Sequence, residues 1–394
     1  MSGEKITVVC NDLSHQPFGR AALLAEVLAL RYKVEIVGIT EKSGLWAPWA
    51  STHIPIRSVE VSTGGRLFPG FVKALHRLKN LIDADAVYAV KTRVPSLLPA
   101  LLAKKKARIP VVVDIDDWES SLYTSFRLRD QSKRELLRDP ESLLYTRWAE
   151  KAVKRVDGVT VVSSFLRDYF GRGVLLPHGR NTDVLDPKLF SKSENRKRLG
   201  WDDYRIAVYL GTPTRRAFDV ETVAAAVGSV SDPRFRLAVI GAGTGSTVIR
   251  NLKEKIGDKL VVEETVPFSR MPEYLTAADV VLLPSPDVPT MKANIPAKLF
   301  DAMALGCPIV ATAVSDIPSI LQECGWLVPP GDPVRMAAAL DKALGDRNRA
   351  GEMGAKARER CIEKYGYPKM LETLMNVFEP LIGSSSRSAR EHAQ

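Results

Sequence analysis

Two charged residues stand in a stretch that is otherwise built for burial. In NIPAKLFDAMALGCPIVAT, residues 294–312, Pro296 suits a first helical turn and Gly306 suits a stop. The run Pro308 to Ala311 reads as a strand covered on both faces. The side chains between are almost all apolar, yet Lys298 and Asp301 lie one turn apart on the same helix face. Two readings are open. Either the pair satisfies itself at a wet surface, since burying an ion pair gives little stability, or the carboxylate faces a cleft and accepts both hydroxyls of a ribose, as an acidic residue does in dinucleotide sites.

Other strand-to-helix loops carry polar groups that invite the same question. LGTPTRRAFD (210–219) holds adjacent Arg215 and Arg216, whose donor forks match the oxygens of a diphosphate or simply solvate a surface loop. VIGAGTG (239–245) places Gly241 and Gly243 where backbone N–H groups approach an anion, or where a tight turn needs them; position 246 is Ser, so it is not a GxGxxG loop. DIDDWESS (114–121) ends a strand with Asp114, Asp116 and Asp117, which suits a metal ion, an acceptor hydroxyl or a helix cap. Lys91 and Arg93 stand at another strand end, in YAVKTRVPS. Gly19 lies before the first helix, close to a lone His15 of the kind that is more often structural than catalytic.

The elements that position these loops follow an α/β rhythm. KITVVC, KVEIVGI, ADAVYAV, PVVVDID, GVTVVS and GVLLP are strand-like in the first half; RIAVYL, RLAVIG, KLVVEE, DVVLLP and PIVAT are strand-like in the second. Helical segments separate them, which predicts two doubly wound Rossmann-like domains facing across a cleft, with ligands beyond the carboxyl ends of the strands. The predicted division is an N-terminal domain over 1–180, a connection over 181–203 and a second domain over 204–365. A C-terminal helix over 366–382 is expected to pack back on the first domain, and 383–394 to be a disordered tail.

At 394 residues, 45% hydrophobic and 26% charged, the chain has the composition of an ordinary soluble protein of two domains. No apolar run reaches the roughly 20 residues of a membrane span. Cys10, Cys307, Cys324 and Cys361 are far apart, so a reducing, cytoplasmic setting is expected rather than a disulfide framework. The formal charge of +10 points to nucleic acid, an anionic membrane or a phosphorylated substrate, and no nucleic-acid module is present to support the first. In GRLFPGFVKALHRLKNLI (65–82), Leu67, Phe68, Phe71, Val72, Leu75 and Leu78 gather on one side, with Arg66, Lys73, His76, Arg77 and Lys79 elsewhere. Such a helix either lies on an anionic membrane or packs on its own sheet.

Taken together, these segments resemble the retaining nucleotide-sugar glycosyltransferases of family 4, which have the GT-B fold. LLPHGRNTDVLDP, VPFSRMPEYLTAADVVLLPSPD, KLFDAMALGCPIVAT and GWLVPPGDPVRMAAAL carry the likeness. The resemblance implies that Asp301, in place of the usual glutamate, binds the donor ribose. It also implies that the basic pair in TRRAFD, Arg216 above all, meets the diphosphate together with Lys298. Expected donor contacts further include Gly211, Gly241, Gly243, Asn294, Ala297 and Leu299, and the acceptor side falls to Lys91, Arg93, Asp116, Asp117 and Gly19. The family's glutamate near the donor sugar is replaced by Ala293, and its strand-end histidine by Val90.

The implied reaction is metal-independent and needs no cofactor and no protein nucleophile. The partners are a nucleotide sugar and a glycan, lipid-linked or small acceptor, with contact to an anionic membrane as a further expectation. Two other functions fit the same residues: a non-catalytic sugar-nucleotide-binding partner within an assembly complex, and a nucleotide-sugar epimerase.

Overall fold

A computed structural model describes residues 3–124, 133–214, 216–243 and 245–391. The chain divides into two compact units, one of Met1–Pro177 with Pro368–Gln394 and one of His178–Tyr367.

The first unit is built on seven parallel strands: β1 (Lys5–Cys10), β2 (Lys33–Thr40), β3 (Ile56–Glu60), β4 (Ala86–Val90), β5 (Val111–Ile115), β6 (Gly158–Val161) and β7 (Val174–Leu175). Their order is β3-β2-β1-β4-β5-β6-β7. Val8 of β1 sits beside Ile36 on one side and Tyr88 on the other, so the chain reverses its direction of growth at the β1/β4 boundary. β4 and β5 are buried along their whole length, as strands covered on both faces must be.

The second unit repeats the plan with β8 (Arg205–Leu210), β9 (Phe235–Ile240), β10 (Leu260–Glu263), β11 (Val280–Leu283), β12 (Ile309–Thr312) and β13 (Trp326–Val328), in the order β10-β9-β8-β11-β12-β13. Alternate residues feed opposite cores. Ile206 and Val208 pack with Leu299, Phe300 and Met303 on one face, while Ala207 and Tyr209 pack with Phe218, Val223 and Leu340 on the other.

Every strand expected from the sequence is present; β3 and β13, both short edge strands, are additional. Four boundaries differ. Residues 181–203, expected as the interdomain connection, are grouped with the second unit, where the helix Lys192–Leu199 packs on the helix Met271–Ala277. The helix expected over 65–82 begins only at Phe71, and Val72 is 53% exposed instead of sharing the buried side of Phe71, Ala74 and Leu78. Pro296 caps the helix Ala297–Ala304 from outside its first turn. The C-terminal helix runs on to Glu391 through most of the expected tail, and Phe378 on it meets the Tyr88 ring of the first unit edge-on at 5.3 Å. All four cysteines are buried free thiols, and no helix among the described residues is long and apolar enough to cross a membrane.

Candidate functional site

In the second unit the candidate groups collect at the carboxyl ends of the central strands. Gly211 follows β8 and Gly241 follows β9, with φ of +105° and +104°. A Cβ on Gly241 would lie 3.2 Å from the Gly211 Cα, so the two strand ends approach as only glycine permits. The Gly211 N–H donates to Ile240 O at 2.7 Å and the Thr212 hydroxyl donates to Gly241 O at 2.9 Å, which ties the two turns together. Gly243 is exposed on the same side of β9.

Lys298 reaches this place from the first turn of its helix. Its ammonium stands 3.8 Å from the centre of the Tyr209 ring and 3.1 Å from where a Gly211 Cβ would be. The ring face holds the cation electrostatically. No carboxylate among the described residues pairs with it, so a positive charge is left at the carboxyl end of β8. Arg216 lies half-buried in the loop after Gly211, whereas Arg215 lies outside the described residues.

Asp301 turns the other way. It is 4% exposed, and its two oxygens accept from Nε and, at 3.0 Å, Nη2 of Arg180. Arg180 also donates to Gly179 O at 2.7 Å and Ala297 O at 3.2 Å, and its guanidinium lies 5.9 Å from the centre of the Phe268 ring. Burial opposes the charge on Arg180, but Asp301 outweighs it and holds its pKa above the ordinary value. Asp301, the residue expected to receive a ribose, thus has both of its oxygens engaged by the Arg180 guanidinium. Lys298 and Asp301 do not satisfy each other. The Leu299 side chain is fully buried in the core and its N–H donates to Pro296 O at 3.0 Å. Asn294 is half-buried with its N–H on Thr290 O at 3.2 Å, and Ala297 meets Arg180 through its carbonyl.

In the first unit the strand ends carry a second polar cluster. Lys91, in a left-handed conformation at φ +70° just after β4, puts its ammonium 2.7 Å from Asp116, 2.5 Å from Asp117 and 3.4 Å from Glu119. Oxygens of these three carboxylates lie within 4.8 Å of one another, a spacing that suits a metal ion, but the cation that gathers them is the lysine. Burial pushes the Asp116 carboxyl up to about 7, against the pull of Lys91. Arg93 donates to Glu119 at 2.7 Å and to the Tyr123 hydroxyl at 2.8 Å. Gly19 lies within the first helix, Pro17–Ala29, where a Cβ would come within 3.0 Å of the Trp46 ring; its bareness serves that packing.

Arg20 and Arg180 were not among the residues singled out from sequence. Arg20 is buried against Asp114 with two bonds of 2.9 Å and donates to Leu176 O at 2.8 Å, which anchors the first helix to the centre of the sheet. The available signal for both was a carboxylate in an apolar element, which needs a cation from somewhere.

The fold and these strand-end clusters define a class, the two-unit Rossmann-like GT-B proteins. Across 97% of this chain and all of the other, the structure matches sucrose-phosphate synthase from Thermosynechococcus elongatus with a TM-score of 0.74 at 20% identity. It matches Anabaena HepE, solved with UDP and glucose, with a TM-score of 0.73 at 16% identity over 96% of this chain and all of that one. Residues 205–346 match the family described as Glycosyl transferases group 1, and residues 20–182 match a Glycosyl transferase 4-like domain. Both parts of the chain thus match glycosyl transferase domains, and it is a glycosyltransferase. Among curated relatives, an alpha-maltose-1-phosphate synthase of Mycolicibacterium smegmatis is 28% identical over 257 residues, which is 59% of this chain and 65%, just under two thirds, of that protein.

Proposed function

We propose that this protein transfers a sugar from a nucleotide-diphosphate sugar to a glycan, lipid-linked or small acceptor, with retention of anomeric configuration and without a metal. The observation that carries the reading is the Lys298 ammonium above Gly211, a cation held on an aromatic ring at the strand ends where doubly wound folds bind ligands. HepE, with UDP and glucose bound on the same fold, supports the donor class.

In the proposed step the bond from the sugar C1 to the diphosphate oxygen breaks. The acceptor hydroxyl bonds to C1 on the same face and gives its proton to the departing phosphate. Charge then grows on the leaving group, and Lys298, Arg216 and Arg215 offset it electrostatically. Asp301 takes no ribose in this scheme; with Arg180 it fixes the helix that presents Lys298. The Lys91 cluster, with Arg93, faces the acceptor, and its ammonium stands among the carboxylates a metal would otherwise gather. A lipid-linked acceptor brings the protein to an anionic membrane surface.

The test is a thermal-shift panel with UDP, GDP, ADP, CMP and dTDP on the wild type and on Lys298→Ala. A nucleotide at 100 times its dissociation constant stabilises by about 2.7 kcal/mol. One nucleotide shifting the wild type and not the variant identifies the donor. No shift with any of them overturns the donor site, and a shift without turnover of donor when acceptor is present leaves the non-catalytic partner. Interconversion of the free donor without acceptor marks an epimerase instead.

A further inference from the structure

Most of the chain's surplus of positive charge falls in the first unit, and within it on one layer of helices. The helix Phe71–Leu81 packs on the helix Val94–Ala107, which packs on the helix Leu143–Ala152. These three segments contain a single carboxylate, Glu150, which is buried and accepts from the Ser120 N–H. Their exposed cations include Lys73, Arg77, Lys105, Arg147 and Lys151, and none of these pairs with a carboxylate among the described residues.

The same layer exposes apolar surface. Leu144 is 50% exposed and Val72 53%. Leu144 and Trp148 lie four apart, on one face of their helix, and Arg147 and Lys151 flank them. Beside Trp148 opens a groove of about 610 Å³, floored by Leu98, Leu101, Leu102, Ile109 and Leu381 and rimmed by Lys105, Arg108 and Arg155.

We propose that this face docks on an anionic lipid bilayer, with Leu144, Val72 and the mouth of the groove entering the interfacial region and the surrounding cations meeting lipid phosphates. The argument is complementarity of two kinds at once. A soluble polyanion satisfies the cations but leaves the leucines, the valine and the groove in water, whereas a bilayer surface covers both. Unopposed basic side chains near an anionic surface each strengthen binding about fivefold. The proposal deepens the membrane contact of the function proposed above and rests on that reading for its purpose, but its test requires neither donor nor acceptor.

Flotation of the full chain with phosphatidylcholine vesicles, with and without phosphatidylglycerol, is the experiment. The wild type is expected to float with the mixed vesicles only, and to be released by salt. The variant Lys105→Glu/Arg108→Glu/Arg147→Glu/Lys151→Glu, altered only at exposed positions, should lose at least about tenfold in vesicle affinity. Val72→Ser/Leu144→Ser should weaken binding at unchanged charge, with circular dichroism verifying the fold of each. Equal flotation with both vesicle types, or undiminished flotation of the charge variant, overturns the proposal. So does RNA binding as tight as vesicle binding combined with no effect of Val72→Ser/Leu144→Ser. The nucleotide thermal shift on the same variants separates the two readings: flotation lost with the shift retained is the expected pattern, while a missing shift beside normal flotation counts against the transferase alone.

Discussion

Arg180, three residues into the second unit, lies against Asp301, 121 positions later in sequence, with both carboxylate oxygens engaged by one guanidinium. The backbone of the same residue bonds to Tyr365 O at 3.0 Å and receives the Tyr367 N–H at 3.2 Å. One residue, by its backbone and its side chain, therefore joins the start of this unit, its end and the helix that carries Lys298. Removing one partner of so buried a pair strands a charge, which costs about 3–5 kcal/mol. Asp301→Ala and Arg180→Ala should each lower stability to urea by that amount, and Arg180→Leu/Asp301→Leu should recover most of it. A double variant as unstable as the singles would show that the site needs the pair itself rather than relief from an unpaired charge.

The glycine turns are open to a sharper contrast. Gly241 combines φ of +104° with a Cβ position 3.2 Å from the neighbouring backbone, while Gly243 meets nothing within 4 Å. Gly241→Ala is expected to cost about 1–3 kcal/mol and to weaken nucleotide binding by distorting the two strand ends. Gly243→Ala should leave stability within about 0.5 kcal/mol of the wild type. Equal effects in thermal melts would remove the special place given to the first turn.

How far the sequence reached can be seen by comparing Gly211 with Asp301. Gly211 and Gly241 declare themselves locally, each directly after an apolar strand and before a helix, and the fold needs them there. The central strands were legible for the same reason, since apolar runs of β-branched residues between helices have few other uses. Asp301 was visible as an acid in an apolar helix, but its partner is set by topology, and Lys298 stood deceptively near. The Arg20–Asp114 pair is hidden likewise by a separation of 94 positions in sequence. β3 and β13 escaped because short edge strands such as IRSVE and WLV carry little periodic signal.

A pH profile tests the polar cluster of the first unit. Burial raises the Asp116 carboxyl to about 7, against the pull of Lys91 and with Asp117 adding to the rise, and unfolding returns it to its ordinary 3.8. Between those values the folded chain binds the extra proton, so this group's stabilisation is complete below 3.8 and is lost as the pH climbs through about 7. Asp116→Asn lacks that slope. Its stability relative to the wild type should improve steadily from acid to neutral pH in urea titrations. A constant difference across that range would show that Asp116 titrates normally.

Lys91 offers the converse experiment. Its ammonium lies within 3.4 Å of oxygens on Asp116, Asp117 and Glu119, and these oxygens lie within 4.8 Å of one another on the segment after β5. Lys91→Ala leaves three negative groups crowded in a poorly solvated place, which raises their proton affinity and destabilises the fold. It also leaves a set of hard oxygen ligands with no cation among them, the chemistry that Ca²⁺ and Mn²⁺ prefer. Thermal melts of Lys91→Ala should therefore show a lowered midpoint that millimolar Ca²⁺ or Mn²⁺ restores in part, while the wild type, whose lysine already occupies the place among the carboxylates, does not respond. Acidification should rescue the variant as well, by protonating the same carboxylates. If neither the ions nor acid restores any stability, the carboxylates relax apart once the lysine is gone, and the segment after β5 does not hold them as rigidly as the geometry implies.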